Sequence, residues 1–169
     1  MELIADFLQD ASFSAIAAIG FSAISNPPRQ AYLYCAIIAA AGHSCRFLLM
    51  DIPGLGIHIV PATLLASLLI GVLAVLLSPR GRVPAETFLF PSLLPMIPGI
   101  YAYKAFGGLV MCLYSRGEDA FNHYFYLFSY NGLTCFFILL AMAVGATAPI
   151  FFMKKISFQA TRREPSSER

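Results

Sequence analysis

Five long stretches of the sequence contain no aspartate, glutamate, lysine or arginine. These charge-free stretches are Ala11–Pro28, Gln30–Cys45, Ile52–Pro79, Thr87–Tyr103 and Ala120–Met153. A helix needs about 20 mostly apolar residues to cross the hydrocarbon core of a bilayer, which is about 30 Å thick. Four of the stretches come close to that length by themselves, and the second reaches it by continuing past Arg46 to Met50. The pattern predicts a protein built from membrane-spanning helices.

The composition excludes most soluble functions. Of the 169 residues, 59% are hydrophobic and 12% are charged, and the mean hydropathy is +0.74. A soluble domain carries about 25% charged residues. The formal net charge of +2 is too small to indicate nucleic acid as a partner. We therefore expect the lipid bilayer to be the surroundings of this chain.

We predict an all-α integral membrane protein, a bundle of about five transmembrane helices with the fourth helix broken. The predicted spans are residues 7–24, 32–50, 59–77, 87–113 and 130–153. Residues 1–155 then form one transmembrane domain, and residues 156–169 form a charged cytoplasmic tail that is too polar to fold alone. An alternative with four spans places residues 32–50 at the membrane surface, because His43 and Arg46 lower the hydropathy of that stretch.

The basic residues predict the orientation. With five spans and the N-terminus outside, eight lysines and arginines face the cytoplasm, and only Lys104 and Arg116 lie outside. This distribution obeys the positive-inside rule, and the reverse topology violates it. The first span is not expected to be a cleaved signal peptide, because Glu2, Asp6 and Asp10 stand where such a peptide carries positive charge.

The sequence carries no short motif typical of an enzyme, such as a Gly-rich phosphate loop or H-E-x-x-H. The four cysteines lack C-x-x-C spacing and are expected to be free thiols rather than metal ligands. We predict a protein that is not an enzyme and that needs no cofactor and no metal.

Arg46 stands out because it is a fixed charge inside the second predicted span. A central arginine costs about 2.5–3.5 kcal/mol on insertion scales, so it should face protein or a water-filled cavity. His43 precedes it by three residues and therefore lies on the same helical face. One interpretation is that Arg46 reaches the membrane interface beside Asp51. The other is that Arg46 binds an anionic group, with His43 as a polar or protonatable neighbour.

The fourth span contains three prolines within eight residues, in the sequence Phe90-Pro91-Ser92-Leu93-Leu94-Pro95-Met96-Ile97-Pro98-Gly99. Such a segment cannot be an uninterrupted helix, because each proline removes a hydrogen-bond donor and clashes with an earlier carbonyl. We predict a break at Pro98-Gly99, with a new half-helix whose first N–H groups, from Gly99 to Ala102, could face a carboxylate. A kinked packing helix that binds nothing is the alternative.

Two further polar residues are candidates for gating or binding. Tyr103 follows the predicted break by about one helical turn, and Asn131 stands at the predicted start of the last span. Asn131 could cap that helix or donate a hydrogen bond to a ligand. The predicted site therefore comprises residues on three spans: His43, Arg46, Pro95, Pro98, Gly99, Tyr103 and Asn131.

Several of these residues together resemble the threonine/serine exporter family. The residues that carry the resemblance are Gly20-Phe21, Asn26, Pro28, Gly42-His43-x-x-Arg46, Pro95-x-x-Pro98-Gly99-Ile100-x-x-Tyr103 and Asn131. The chain looks most like the small subunit of the split form, in which a larger membrane subunit of the same family is the partner. The resemblance implies secondary export of threonine and serine, or of succinate in some split pairs, across a bacterial inner membrane.

The residues themselves leave the cargo open. An amino acid needs a partner for its ammonium group, and the sequence reading finds no carboxylate deep in a span, since Asp51 and Glu86 lie near span ends. Unwound carbonyls around Pro95–Gly99 or an acidic residue of the partner could serve, whereas a dicarboxylate would need only Arg46 and the half-helix. A subunit that assembles with a transporting partner but carries nothing itself is the alternative from a different class.

Overall fold

The structure is a computed structural model that describes residues 2–51 and 56–153. Within these residues every regular element is helical. The elements are α1 (Glu2–Ile24), α2 (Arg29–Asp51), α3 (Ile59–Gly81), α4 (Ala85–Leu93), a 3₁₀ turn (Leu94–Met96), α5 (Gly99–Tyr114) and α6 (Glu118–Phe152). The predicted tail, residues 156–169, lies outside the described residues.

The helices confirm the predicted fold class. Four helices of the described chain (α1, α2, α3 and α6) are each long and apolar enough to cross a membrane, and α2 is one of them. A fifth span is obtained when Ala85–Met96 and Gly99–Tyr114 are taken as one segment, which is bent by 51° at its break. The protein is therefore an all-α membrane protein. It has four continuous spans, and a fifth, discontinuous span when α4 and α5 are counted together.

The break lies where the prolines predict it. Pro95 sits in the 3₁₀ turn, Ile97 is extended (φ −58°, ψ 129°), and Pro98 is also non-helical (φ −77°, ψ 58°). The next helix begins at Gly99. Pro98 has no N–H to donate, so one helical hydrogen bond is lost there, and the extended backbone of Ile97 interrupts the helix before it. Pro91, in contrast, is accommodated inside α4.

The last helix starts earlier than the predicted span. α6 has 35 residues, which is about 52 Å at 1.5 Å per residue. The helix is thus much longer than the hydrocarbon core is thick, so one end of α6 extends out of the core. Asn131 is consequently in the helix interior, where its Nδ2 donates to the Leu127 carbonyl oxygen at 2.7 Å. The prediction that Asn131 caps this helix is wrong, because helical residues continue for more than three turns before it.

Small residues bring the long helices into close contact. Between α3 and α6, a methyl group at Gly71 would lie 2.6 Å from the Ala146 carbonyl oxygen. A methyl group at Gly145 would lie 2.6 Å from the Leu64 carbonyl oxygen. Ser67, also on α3, donates to the Ala141 carbonyl oxygen at 3.2 Å. Close backbone approach of this kind stabilises helix pairs in lipid, where water cannot drive association.

The short helix α4 packs against α1, α2 and α3, whereas α5 packs against α6. Two side-chain contacts fix α4 against α2. Ser92 donates to the Cys35 carbonyl oxygen at 3.0 Å, and the Cys35 thiol lies 3.7 Å from the Thr87 carbonyl oxygen. Phe88 is fully buried and lies with its ring centroid 5.3 Å from that of Tyr34. This packing holds the 3₁₀ turn beside α1 and brings the Met96 carbonyl to Arg46, near the C-terminal end of α2.

Candidate functional site: a charged cluster at the helix break

A histidine–aspartate pair joins the first two helices. Nδ1 of His43 on α2 lies 3.2 Å from Oδ2 and 3.4 Å from Oδ1 of Asp10 on α1. The His43 side chain is 7% exposed and the Asp10 side chain is 34% exposed. Ser14, one turn after Asp10, is buried in the same helix. A carboxylate inside the first span therefore lies next to the predicted site.

The pair constrains the protonation of the imidazole. A carboxylate only accepts, so Nδ1 of His43 carries the proton in the Asp10 contact. Nε2 of His43 is buried and makes no hydrogen bond with any residue that the structure describes. In the neutral ring Nε2 is an unused acceptor, and in the charged ring it is an unused donor. Nε2 of the neutral ring is therefore available to accept a proton or a hydrogen bond from a ligand.

Arg46 has unused hydrogen-bond donors. Its Nη1 donates to the Met96 carbonyl oxygen at 3.4 Å, and its Nη2 lies 3.5 Å from Nδ1 of His43. When Nδ1 holds a proton for Asp10, the second contact is not a hydrogen bond. Among residues 4–51 and 56–153, no carboxylate lies within 4.0 Å of the guanidinium. A guanidinium has five N–H donors and stays charged, so this half-buried cation has capacity to bind an anion.

Asp10 and Arg46 face a common cavity of about 150 Å³. Its lining comes from α1, α2 and the start of α3: Asp10, Arg46, Phe47, Met50, Asp51 and Ile59. Pockets for drug-sized ligands are usually about 300–1,000 Å³, so this one suits a smaller molecule. A small cavity lined by positive and negative side chains can hold a small charged molecule.

The helix break offers fewer donors than the sequence predicts. The N–H of Gly99 donates to the Ile97 carbonyl oxygen at 2.8 Å, and that of Ala102 donates to the Pro98 carbonyl oxygen at 3.1 Å. Only the N–H groups of Ile100 and Tyr101 are left without an acceptor among the described residues. The expectation of four free donors is thus reduced to two.

The predicted site residues fall into two places. His43, Arg46 and the break at Pro95–Gly99 lie together, because Arg46 contacts the carbonyl of Met96. Tyr103 and Asn131 instead line a separate open groove of about 640 Å³ between α5 and α6. Tyr103 is 79% exposed. The break therefore separates two sets of residues that the sequence reading treats as one.

Asp10 is the residue that the sequence reading missed. The predicted first span, residues 7–24, already includes this carboxylate, but Asp10 was grouped with the acidic N-terminus. Its partner is 33 residues away in sequence, and nothing in the local pattern indicates that pairing. The available signal was an ionisable residue inside a predicted span, which is a functional-site hypothesis by default.

A discontinuous helix next to charged residues within the spans is a feature that many membrane transporters share. Residues 10–152 match the family described as "Threonine/Serine exporter, ThrE". The chain belongs to the threonine/serine exporter family, as its sequence motifs predict.

One curated relative is an uncharacterized protein of Haemophilus influenzae. It is 38% identical over 150 residues, which cover 88% of this chain and 48% of the relative. The chain thus spans about half the length of that relative. No solved structure matches the chain.

Proposed function

We propose that this chain is part of a secondary exporter of small carboxylate-bearing metabolites, with threonine and serine as its cargo. The proposal rests on the surroundings of Arg46. Its guanidinium is half-buried, has unused donors, lines a small cavity and contacts the helix break through the Met96 carbonyl. Family membership supports the threonine/serine type. The cavity volume supports a small cargo.

Arg46 is the proposed ligand of the cargo carboxylate. Its planar fork of N–H groups matches the two oxygens of a carboxylate. Placing an arginine inside a span costs about 2.5–3.5 kcal/mol on insertion scales, and one hydrogen bond to the Met96 carbonyl offsets only part of this cost. A cargo carboxylate would supply the missing acceptors and would form a charge-assisted hydrogen bond in surroundings with little water.

His43 is the proposed proton site of the exporter. Histidine changes charge within the physiological pH range, and Nε2 of His43 has no partner among the described residues. Export driven by proton exchange requires a group that gains a proton on one side of the membrane and loses it on the other. The His43 imidazole meets this requirement and lies next to Arg46.

A larger membrane subunit of the same family is the proposed partner. The Haemophilus influenzae relative is about twice as long as the region it shares with this chain. A second chain would then supply the part that the relative carries in addition. We place the complex in a bacterial inner membrane, with the N-terminus of this chain outside and the C-terminus in the cytoplasm.

Succinate export is the second candidate. The free N–H groups of Ile100 and Tyr101 at the start of α5 support it, because a helix N-terminus favours a negative group. Succinate would then contact both Arg46 and the α5 N-terminus. Asp10 weighs against this candidate, since it adds a negative charge to the cavity that Arg46 lines.

The test is efflux from cells loaded with threonine, serine or succinate. Deleting the gene should slow efflux of the true cargo, and wild-type protein should restore it. Arg46→Gln should insert normally but reduce efflux by about tenfold or more, since one charged hydrogen bond is worth about 1.5–3 kcal/mol. Arg80→Gln, at an exposed arginine in the last turn of α3, is the matched control. Unchanged efflux of all three compounds after deletion contradicts the proposal, and normal efflux by Arg46→Gln assigns transport to the partner.

A further inference from the structure

We propose that Asp10 binds the cargo's ammonium group and that the cavity consequently selects zwitterions over carboxylates that lack an amine. The inference rests on the proposed function and names a residue that determines the specificity of that site. It begins from one geometric fact: a carboxylate and a guanidinium, placed on α1 and α2, line the same cavity of about 150 Å³.

Asp10 has unused acceptor capacity. A carboxylate offers about four lone-pair positions, and among the described residues its hydrogen-bond partner is Nδ1 of His43. The side chain is 34% exposed and lines the cavity, so the remaining positions are accessible to a ligand. An ammonium group carries three hydrogen-bond donors and no acceptor, so it can supply the donors that the free acceptor positions of Asp10 lack.

The two charges suit an α-amino acid. In serine and threonine the ammonium and the carboxylate are attached to the same carbon atom. A molecule of this kind can place its carboxylate on Arg46 and its ammonium on Asp10 within one small cavity. The hydroxyl group of the cargo would then meet the rest of the lining, where Phe47, Met50 and Ile59 provide apolar contacts.

The same carboxylate disfavours other cargoes. A molecule in which the amine is replaced by a hydroxyl leaves Asp10 without its cation, although it still satisfies Arg46. A dicarboxylate places a second negative charge in a cavity that already contains Asp10, and like charges in such a site are repulsive. Discrimination thus comes from attraction to the correct cargo and from repulsion of the wrong one.

Asp51 is the competing carboxylate, because it also lines the cavity. It differs from Asp10 in its surroundings. Asp51 is exposed at the end of α2, whereas Asp10 is partly buried and contacts the buried His43. A charge open to water is screened and interacts weakly with a ligand. Asp10 is therefore assigned as the ammonium ligand, and Asp51 serves as the matched comparison in the test.

The test compares L-serine with L-glycerate, which is the same three-carbon carboxylate of the same configuration with a hydroxyl in place of the amine. Inside-out membrane vesicles are prepared from cells that express the full chain together with the genes around it. Initial uptake of each labelled compound is measured at equal membrane levels of the variants. The readout is the ratio of serine uptake to glycerate uptake, and ethanolamine, which lacks the carboxylate, is added as a competitor.

In the wild type, serine should be preferred. Asp10→Asn should lower the serine-to-glycerate ratio by about 10-fold to 100-fold, as expected for one charge-assisted hydrogen bond, while glycerate uptake stays equal or rises. Asp10→Glu should keep much of the preference, and Asp51→Asn should leave it unchanged. Arg46→Gln should reduce the uptake of both compounds.

Three results would overturn the assignment. The ratio could stay unchanged in Asp10→Asn, or it could fall only in Asp51→Asn. Asp10→Asn could also abolish uptake of both compounds although the chain is inserted, which would give Asp10 a structural or proton-carrying role instead. Failure of the proposed function looks different, because wild-type vesicles would then take up neither compound.

Discussion

Nδ1 of His43 lies 3.2 Å from Oδ2 of Asp10, and this contact connects α2 to α1 across 33 residues of sequence. It places an acid and a base of the protein side by side within the helical bundle. Arg46 is one turn further along α2, on the same face as His43, and adds a permanent positive charge. Three ionisable side chains of two helices thus form one cluster, to which the break between α4 and α5 adds the Met96 carbonyl.

The His43–Asp10 contact should be measurable as a coupling energy. We expect the double variant His43→Gln/Asp10→Asn to be more stable than the sum of the two single changes predicts, by about 1 kcal/mol. A buried pair costs about 3–5 kcal/mol when one partner is removed. The value here is smaller because the Asp10 side chain is a third exposed and water can replace part of the contact. Denaturant unfolding of the purified protein in detergent gives the four free energies of the cycle.

The matched control for that cycle pairs His43→Gln with Asp6→Asn. Asp6 is on the same helix and is exposed, so its coupling to His43 should be close to zero. Equal coupling energies for Asp6 and Asp10 would contradict a specific contact.

The close approach of α3 and α6 should make Gly145 intolerant of a side chain. Gly145→Ala brings a methyl group within 2.6 Å of the Leu64 carbonyl oxygen and into overlap with the Ser67 hydroxyl. Overpacking of this kind costs about 1–3 kcal/mol, and the backbone atom cannot move aside easily. We expect a lower free energy of unfolding in detergent.

Gly107→Ala is the control for this prediction. Nothing lies within 4 Å of a methyl group at Gly107. Alanine is favoured over glycine in a helix by about 1 kcal/mol, so this variant should be equal to the wild type or more stable. Equal destabilisation by both changes would show that the α3–α6 contact is looser than described.

The helix break should depend on its two central prolines. In Pro95→Ala/Pro98→Ala the backbone regains two N–H donors, and the α4–α5 segment should straighten from its bend of 51°. Spin labels at the exposed positions 90 and 106 should then move apart, as measured by pulsed electron resonance. Cargo efflux should fall by about tenfold or more, equivalent to about 1.4 kcal/mol in the transport barrier.

Pro61→Ala provides the control, because Pro61 is exposed in the first turn of α3, where its missing N–H is not needed. Pro61→Ala should retain both the interspin distance and the efflux. An unchanged bend in the double variant would show that packing of α4 and α5, rather than the prolines, maintains the break.

The orientation can be tested with single cysteines in a cysteine-free background. A membrane-impermeant maleimide should label Asp6→Cys from outside intact spheroplasts, because the N-terminus is predicted to be outside. Arg80→Cys should react only after permeabilisation, since the basic residues are predicted to face the cytoplasm. Neither position is covered by other residues of the described chain. The reverse labelling pattern would contradict the predicted topology.

The helical architecture could be predicted from the sequence, because the length of a charge-free stretch and the position of a proline are both local properties. The α5 start at Gly99 follows from the proline-rich stretch that ends at Pro98, and the helices α1, α2, α3 and α6 follow from apolar stretches. Family motifs also gave the correct family. The spans and the break each depend on residues that are neighbours in the sequence, and the family depends on several short motifs distributed along the chain.

The site could be predicted only in part, because it depends on how the helices pack. Arg46 and the break were both identified, and their contact through Met96 agrees with a common site. The role of Asn131 as a cap was wrong, since nothing in the sequence shows that α6 begins as early as Glu118. Asp10 was missed because its partner is on another helix. Tyr103 and Asn131 line the groove between α5 and α6, and a part for them in transport stays a prediction.

The two halves of the discontinuous span are held by different neighbours: α4 by α1, α2 and α3, and α5 by α6. Between them, no backbone hydrogen bond of the i to i−4 type crosses Ile97 within the described chain. A change in angle at this residue would therefore need no helix to unwind. Such a rotation would change the angle of α5 relative to α4 while α6 stays packed against α3, which gives the protein a hinge beside the charged cluster.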